Sequence, residues 1–305
     1  DRLDQLNTKA KLLLRDHSID DAPSVTAPAT ITGQIWKSYS NTKNGQMFLR
    51  LGDVGSGCPV VLIHNLGSST LRWQQVMTAL LGKRPFFAFG LPGHSETQDA
   101  WGDGEVSIQT CATAIDEAMT NLGISHCHLL SYGGGGLVAL DLLHRTKAVV
   151  RSWTAVDLWL FDENEKQKLN NRLAPPLTPQ PLGQHLTEAW YMVRDGELFW
   201  PWFEPKPENA LNKLPETNPE KLHDRVSDIL QASSVYHAVV SSALKMDSKT
   251  MLAGLTVPST FAPIDGSAHI ERCQRAAELA QKGSHIILPN DDARKTAALV
   301  ALLRE

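Results

Sequence analysis

Residues 128–143 read HLLSYGGGGLVALDLL: an apolar run, four consecutive glycines, then a second apolar run at helical spacing. A strand, a tight turn and a helix start in that order can hold a nucleophilic side chain out of a sheet. Backbone N–H groups beside it can then stabilise an oxyanion. Ser131 stands just before the glycines. A serine is a weak nucleophile until a base takes its proton and an acid orients that base, so a His and a carboxylate must arrive from elsewhere in the chain. Candidates follow other apolar runs: His64 and Asn65 after PVVLI, Asp157 after VVRSWTAV, and Asp265 and His269 after TVPSTFAPI.

The elements that must position these groups alternate. PVVLI is a short continuous apolar run, as expected of a strand buried on both faces of a parallel sheet. STLRWQQVMTALL, with Trp73, Val76, Leu80 and Leu81 at helical spacing, reads as a helix, and RPFFAFGLPG as a strand ending in a Pro-Gly turn. SIQTCATAIDEAMTNLG is an amphipathic helix stopped at Gly123. SHCHLLSY, GGLVALDLLHRT and VVRSWTAVD continue as strand, helix and strand. Upstream, ITGQIWKSYS and GQMFLRLGD form a strand pair about NTKNG, and residues 1–30 form a helical arm with Leu3, Leu6 and Leu12–Leu14 on a partial stripe. Such alternation predicts a doubly wound, mostly parallel α/β sheet. The rhythm breaks over 161–250, which is Pro-rich, helical and aromatic, and resumes over 251–305.

Bulk properties exclude several function classes. The chain of 305 residues is 42% hydrophobic and carries a formal charge of −4 without a basic stripe, which argues against nucleic acid. No apolar run approaches the ~20 residues of a membrane span. Cys58, Cys111, Cys127 and Cys273 are scattered, without a CxxC pair or a His at ligand spacing; they read as free thiols of a reducing cytoplasm rather than metal ligands. No metal and no cofactor is expected. The chain begins at Asp1 rather than Met, which leaves room for a removed leader.

Three ordered motifs then give the chain a family likeness. His64-Asn65-Leu66-Gly67-Ser68-Ser69 precedes Trp73; Gly90-Leu91-Pro92-Gly93-His94-Ser95 follows the fourth strand; Leu122-Gly123-Ile124 leads to Leu129-Leu130-Ser131-Tyr132-Gly133-Gly134-Gly135-Gly136-Leu137-Val138-Ala139-Leu140. From about residue 30 onward the chain resembles the α/β-hydrolase superfamily. The resemblance implies an eight-stranded, mostly parallel sheet flanked by helices, a core of 1–160 and 251–305, and a helical cap of 161–250. It also implies positions for a Ser-His-Asp triad, and the register sets Gly133 at the nucleophile, Ser267 at the acid and Ala293 at the base. Displaced candidates are Ser131 as nucleophile, in a slipped register, and Asp157 or Asp265 as acid. Three substitutions together predict loss of serine-hydrolase chemistry.

The remaining candidates each carry a plain structural reading beside a functional one. The resemblance gives His64 the role of bracing the oxyanion loop, or else of a new base. Asn65 either stabilises that loop or reaches a ligand oxygen, and the N–H groups of Leu66 and Gly134 would be the oxyanion donors. His269 reads as a helix-start residue, and His126 and His128 as strand residues with local hydrogen bonds. Tyr236-His237 reads as a cap-to-core contact. Trp190, Tyr191, Phe199, Trp200, Trp202 and Phe203 crowd fourteen residues of the insertion, as its own small core or as a pocket wall. The expected ligand-lining set is His64, Asn65, Leu66, Tyr132, Gly133, Gly134, Trp159, Trp190 and Trp200. The leading expectation is a protein that binds or transforms a small apolar or carbonyl-containing molecule between cap and core. The alternatives are an ester or C–C hydrolase using Ser131, and a structural or interaction protein; pairing with a second copy is left open.

Overall fold

The computed structural model describes residues 33–303 apart from 53 and 98–104; the arm expected over 1–30 lies outside these residues. Eight strands form one sheet: β1 (Trp36–Thr42), β2 (Gly45–Gly52), β3 (Val60–Ile63), β4 (Phe86–Phe89), β5 (His126–Tyr132), β6 (Val149–Val156), β7 (Ser259–Ala262) and β8 (Gly283–His285). Their order is β1-β2-β4-β3-β5-β6-β7-β8. Only β2 runs against its neighbours, pairing antiparallel with β1 and β4. The first hairpin closes more tightly than NTKNG suggests. Asn41 and Thr42 belong to β1, and Thr42 pairs with Gly45 across the two residues Lys43 and Asn44.

Helices cover both faces because the central strands are apolar on both sides. All four residues of β3 are buried, as a strand between two helical layers requires. One layer holds α1 (Gln74–Leu80), which a single 3₁₀ turn, Thr70–Trp73, precedes. Trp73 and Met77 meet Leu299 and Leu303 there, the first of these from α10 (Asp292–Ala301). The opposite layer holds α2 (Ile108–Asn121) and α3 (Gly135–Arg145). Ser107 and Thr110 close a capping box at the start of α2, which satisfies two otherwise orphaned donors.

Between β6 and β7 the chain is helical: α4 (Glu163–Leu169), α5 (Gln184–Gly196), α6 (Pro219–Gln231), α7 (Tyr236–Lys245) and α8 (Ser248–Ala253). A further helix, α9 (Ile270–Leu279), links β7 to β8. The insertion is bound to the sheet layers at several points. Arg272 of α9 pairs with Glu165 of α4, Lys221 of α6 with Asp292 of α10, and the Ile108 N–H donates to Ser242 Oγ of α7. No helix among the described residues is long and apolar enough to cross a membrane.

Candidate functional site

In open α/β sheets, ligands bind beyond the carboxyl ends of the strands, and the β5–α3 turn stands at that edge. Gly133 has φ +54, the left-handed region that glycine enters without steric cost. Its N–H donates to the Val156 carbonyl and its own carbonyl accepts from Gly136 N–H, so the turn is fixed at both ends. A Cβ on Gly133 would overlap Asn65 Oδ1 and stand 2.8 Å from Asn65 Cγ. That same Oδ1 accepts the Gly134 N–H at 2.8 Å. The Asn65 carboxamide therefore fills the volume of a side chain at position 133 and takes the N–H that would face an oxyanion. A Cβ on Gly135 would overlap the His64 carbonyl oxygen, so the close crossing of α3 over the β3 loop also demands glycine.

His64 is fully buried. Its Nδ1 meets the Asn65 carbonyl oxygen at 2.7 Å and its Nε2 accepts the Leu91 N–H at 3.1 Å. Both ring nitrogens are engaged in holding loops. Burial, followed by the nearby His94, pushes its pKa down to about 3 against the raising effect of the Asn65 bond. The imidazole is neutral and structural. Ser131 lies inside β5, fully buried, and its Oγ accepts the Trp153 indole N–H at 2.8 Å.

The acid side is a buried network. Asp157 ends β6 at φ +48, a conformation that Asp tolerates better than most residues. Its Oδ1 accepts the Ile264 N–H at 3.0 Å and the Ser267 hydroxyl at 2.7 Å; its Oδ2 accepts the Tyr132 hydroxyl at 3.1 Å. Burial raises the Asp157 pKa against the lowering effect of these donors and of Arg72. Arg72 lies over the Tyr132 ring, 4.0 Å from its centroid. Two sequence candidates, Asp157 and Ser267, are thus brought together, and Tyr132 is the third residue of the network.

Aromatic side chains cover the turn. A Cβ on Gly134 would stand 2.8 Å from Leu66 and 3.0 Å from Trp159. Trp159, Phe161 and Trp200 cluster with centroids 5.9–6.5 Å apart, and the His269 ring meets Trp200 at 4.9 Å. His269 is buried with its Nδ1 unpartnered, and burial, then Arg272, lowers its pKa to about 3. Cavities of about 330 and 320 Å³ open elsewhere, one by Asn41 and Asp116, the other by Ser107 and Lys245.

No protein-family profile matches the chain. A stretch of 100 residues is 30% identical to the dihydrolipoyllysine-residue acetyltransferase component of the acetoin cleaving system of Pseudomonas putida, covering 32% of this chain and 26% of that protein. The chain spans only about a quarter of that relative's length. Solved structures align over far more. A malate-bound thermophilic esterase from Thermogutta terrifontis superposes with TM-score 0.67 at 20% identity, over 89% of this chain and 98% of that one. An enol-lactonase from Burkholderia xenovorans gives 0.68 at 13% identity, over 88% and 100%. An N-acyl homoserine lactonase mutant complexed with N-hexanoyl homoserine gives 0.65 at 17%, over 88% and 96%.

The chain has the α/β-hydrolase fold.

Within the α/β-hydrolase frame, the sequence candidates divide. His64, Asn65, Leu66, Tyr132, Gly133, Gly134 and Trp159 gather at the turn, and Trp200 joins through Trp159. Trp190 does not: it stands exposed on α5, with Ala189, Met192 and Val193 of that helix buried instead. Asp265 is exposed and Ala293 lies in the first turn of α10, also exposed. His285 ends β8 rather than opening it, and pairs beside Phe261, short of the sheet edge. His126, expected on a packed face, is exposed before a bulge at Cys127/His128, whereas His128 is buried against Ser152 Oγ at 2.7 Å. His237 makes the expected local contact, its Nδ1 2.7 Å from the Ala174 carbonyl oxygen. Sequence reading missed Arg72. Nothing marks an arginine ahead of Trp73 as a partner of Tyr132, because the pairing spans sixty residues of chain.

Proposed function

We propose that this α/β-hydrolase-fold protein does not run serine-hydrolase chemistry and works by binding a small molecule at the strand-end site, with residues 161–250 as its cap. One observation carries the reading. Asn65 Oδ1 sits on the Gly134 N–H and in the space that any side chain at position 133 would need. A working site needs a nucleophile, a base and a free oxyanion donor together. Gly133 provides no nucleophile, and Asn65 takes the Gly134 N–H, one of the two expected donors. The acid Asp157 is matched to a tyrosine rather than a histidine. All four cysteines are buried, and Cys111, Cys127 and Cys273 are free thiols, in keeping with the cytoplasmic location we assign.

The neighbouring esterase and lactonases favour the alternative of hydrolysis, for which Ser131 is the remaining serine of the turn. Its hydroxyl is buried and bonded to an indole, away from any histidine hydrogen bond. The interaction reading draws support from the insertion, where Leu182 and Leu214 are each 86% exposed. The deciding experiment is the intact mass of the folded protein after excess fluorophosphonate, which labels activated serines. No adduct is expected. A stoichiometric adduct on Ser131, or on another serine, overturns the reading.

A further inference from the structure

The strand-end site holds one cation without a carboxylate partner among the described residues. Arg72 is half-buried, its guanidinium 4.0 Å from the centre of the Tyr132 ring. That ring is fixed in turn by the hydroxyl bond to Asp157 and by an edge contact with Trp73. Stacking holds a guanidinium plane in place while leaving its edge free to donate. Among the described residues, no carboxylate comes within salt-bridge distance of Arg72. The surrounding charges explain why. Glu197, within electrostatic reach of Arg72, is committed elsewhere: it pairs with Arg225, and its Oε2 accepts from Lys213 Nζ and the Glu216 N–H, both at 3.1 Å. Asp157, on the far side of the phenol, is taken by Ile264, Ser267 and Tyr132. Arg72 thus stands without an ion-pair partner among these residues, a planar donor that the Tyr132 ring orients.

We infer that Arg72 anchors a binding site for the carboxylate of a small molecule. A carboxylate matches the two-pronged edge of a guanidinium, and a guanidinium without an ion-pair partner favours an anion. The inference deepens the binding reading above and rests on it for the role of the site. Its test is separate from the fluorophosphonate experiment. The full-length protein is titrated with benzoate, and with inorganic phosphate in parallel, by calorimetry and ¹H–¹⁵N NMR. Benzoate is expected to bind and to shift the Arg72 and Tyr132 resonances. Arg72→Met should lower its affinity at least about tenfold, the worth of a hydrogen bond to a charged group. Arg72→Lys, which keeps the charge but not the fork, should fall between. If Arg72→Met fails to fold, the wild-type and Arg72→Lys comparison carries the test. Equal benzoate affinity in the variants, no benzoate binding into the tens-of-millimolar range, or a preference for phosphate overturns the inference. Fluorophosphonate labelling with intact Arg72-dependent binding would sink only the non-hydrolytic reading; failure of benzoate without labelling would sink only this one.

Discussion

The two sides of the strand-end site are closed by different means. On the β5–α3 side a single neutral side chain, the Asn65 carboxamide, fills both the nucleophile volume and the Gly134 donor. On the β6–β7 side a buried carboxylate, Asp157, gathers three donors from two separate segments: Tyr132 at the end of β5, and Ile264 and Ser267 after β7. A plug made of one residue can be withdrawn at modest cost. A buried hub cannot, because its removal strands every donor it satisfied. The first side rests on one contact and the second on three, so substitutions should separate them.

The largest effect belongs to the hub. Asp157→Ala leaves the Tyr132 and Ser267 hydroxyls and the Ile264 N–H unpaired in a buried place, a loss of about 3 kcal/mol. Asp157→Asn keeps an acceptor for Ile264 or Ser267 and should lose about half as much. Urea unfolding midpoints measure both. A loss below about 1 kcal/mol for the alanine variant would mean that the two sides do not differ as argued.

The plug comes next. Gly133→Ser adds a side chain that overlaps Asn65 at a positive φ, and overpacking with backbone strain should destabilise by about 2 kcal/mol. Asn65→Gly in the same chain removes the overlap. The double-mutant cycle should therefore show favourable coupling of about 1 kcal/mol or more. Additive losses would show that Asn65 does not occupy the space. The double variant is still expected to resist fluorophosphonate, since His64 has both ring nitrogens engaged with the Asn65 carbonyl and the Leu91 N–H. Asn65→Ala alone leaves only the Gly134 N–H unmatched, about 1–2 kcal/mol by the same unfolding measurement.

The sheet side of this contrast was legible in the chain; much of the site was not. Continuous apolar runs such as VVLI and the four-glycine turn mark β3 and the β5–α3 junction because burial and backbone geometry leave local signatures. Gly133 could be placed because strand and helix flank it without a gap. The bond from Ser267 to Asp157 joins residues 110 apart, and the capture of Gly134 by Asn65 joins residues 69 apart. No periodicity encodes either. Trp190 was expected at the site because aromatic crowding does not reveal which way a helix turns its face, and α5 turns Ala189, Met192 and Val193 inward instead. Ser267 and Ala293, singled out together from the sequence, part company in the fold: Ser267 serves the hub, while Ala293 is exposed on the first turn of α10.

The smallest effect tests whether the insertion adds a third closure of its own. Asp228 of α6 faces Ser68 and Ser69 of the loop after β3. Burial first, then the charges of Asp224 and Glu96, raise its pKa to about 6 against the lowering effect of the nearby Ser69 and Ser68 hydroxyls. A carboxyl whose folded pKa lies above its unfolded value stabilises the fold while protonated. Its contribution is complete below the ordinary Asp range and is lost as pH rises through about 6. Because the residue is half-buried, screening reduces the swing to about 1 kcal/mol. Stability should therefore decline between about pH 4 and pH 6 in the wild type. Asp228→Asn, neutral throughout, should flatten that decline and be the more stable protein at pH 7. An identical pH profile in both proteins would remove Asp228 from the contact. The closure would then rest on Asn65 and the Asp157 hub alone, with the insertion held by its ion pairs to α9 and α10.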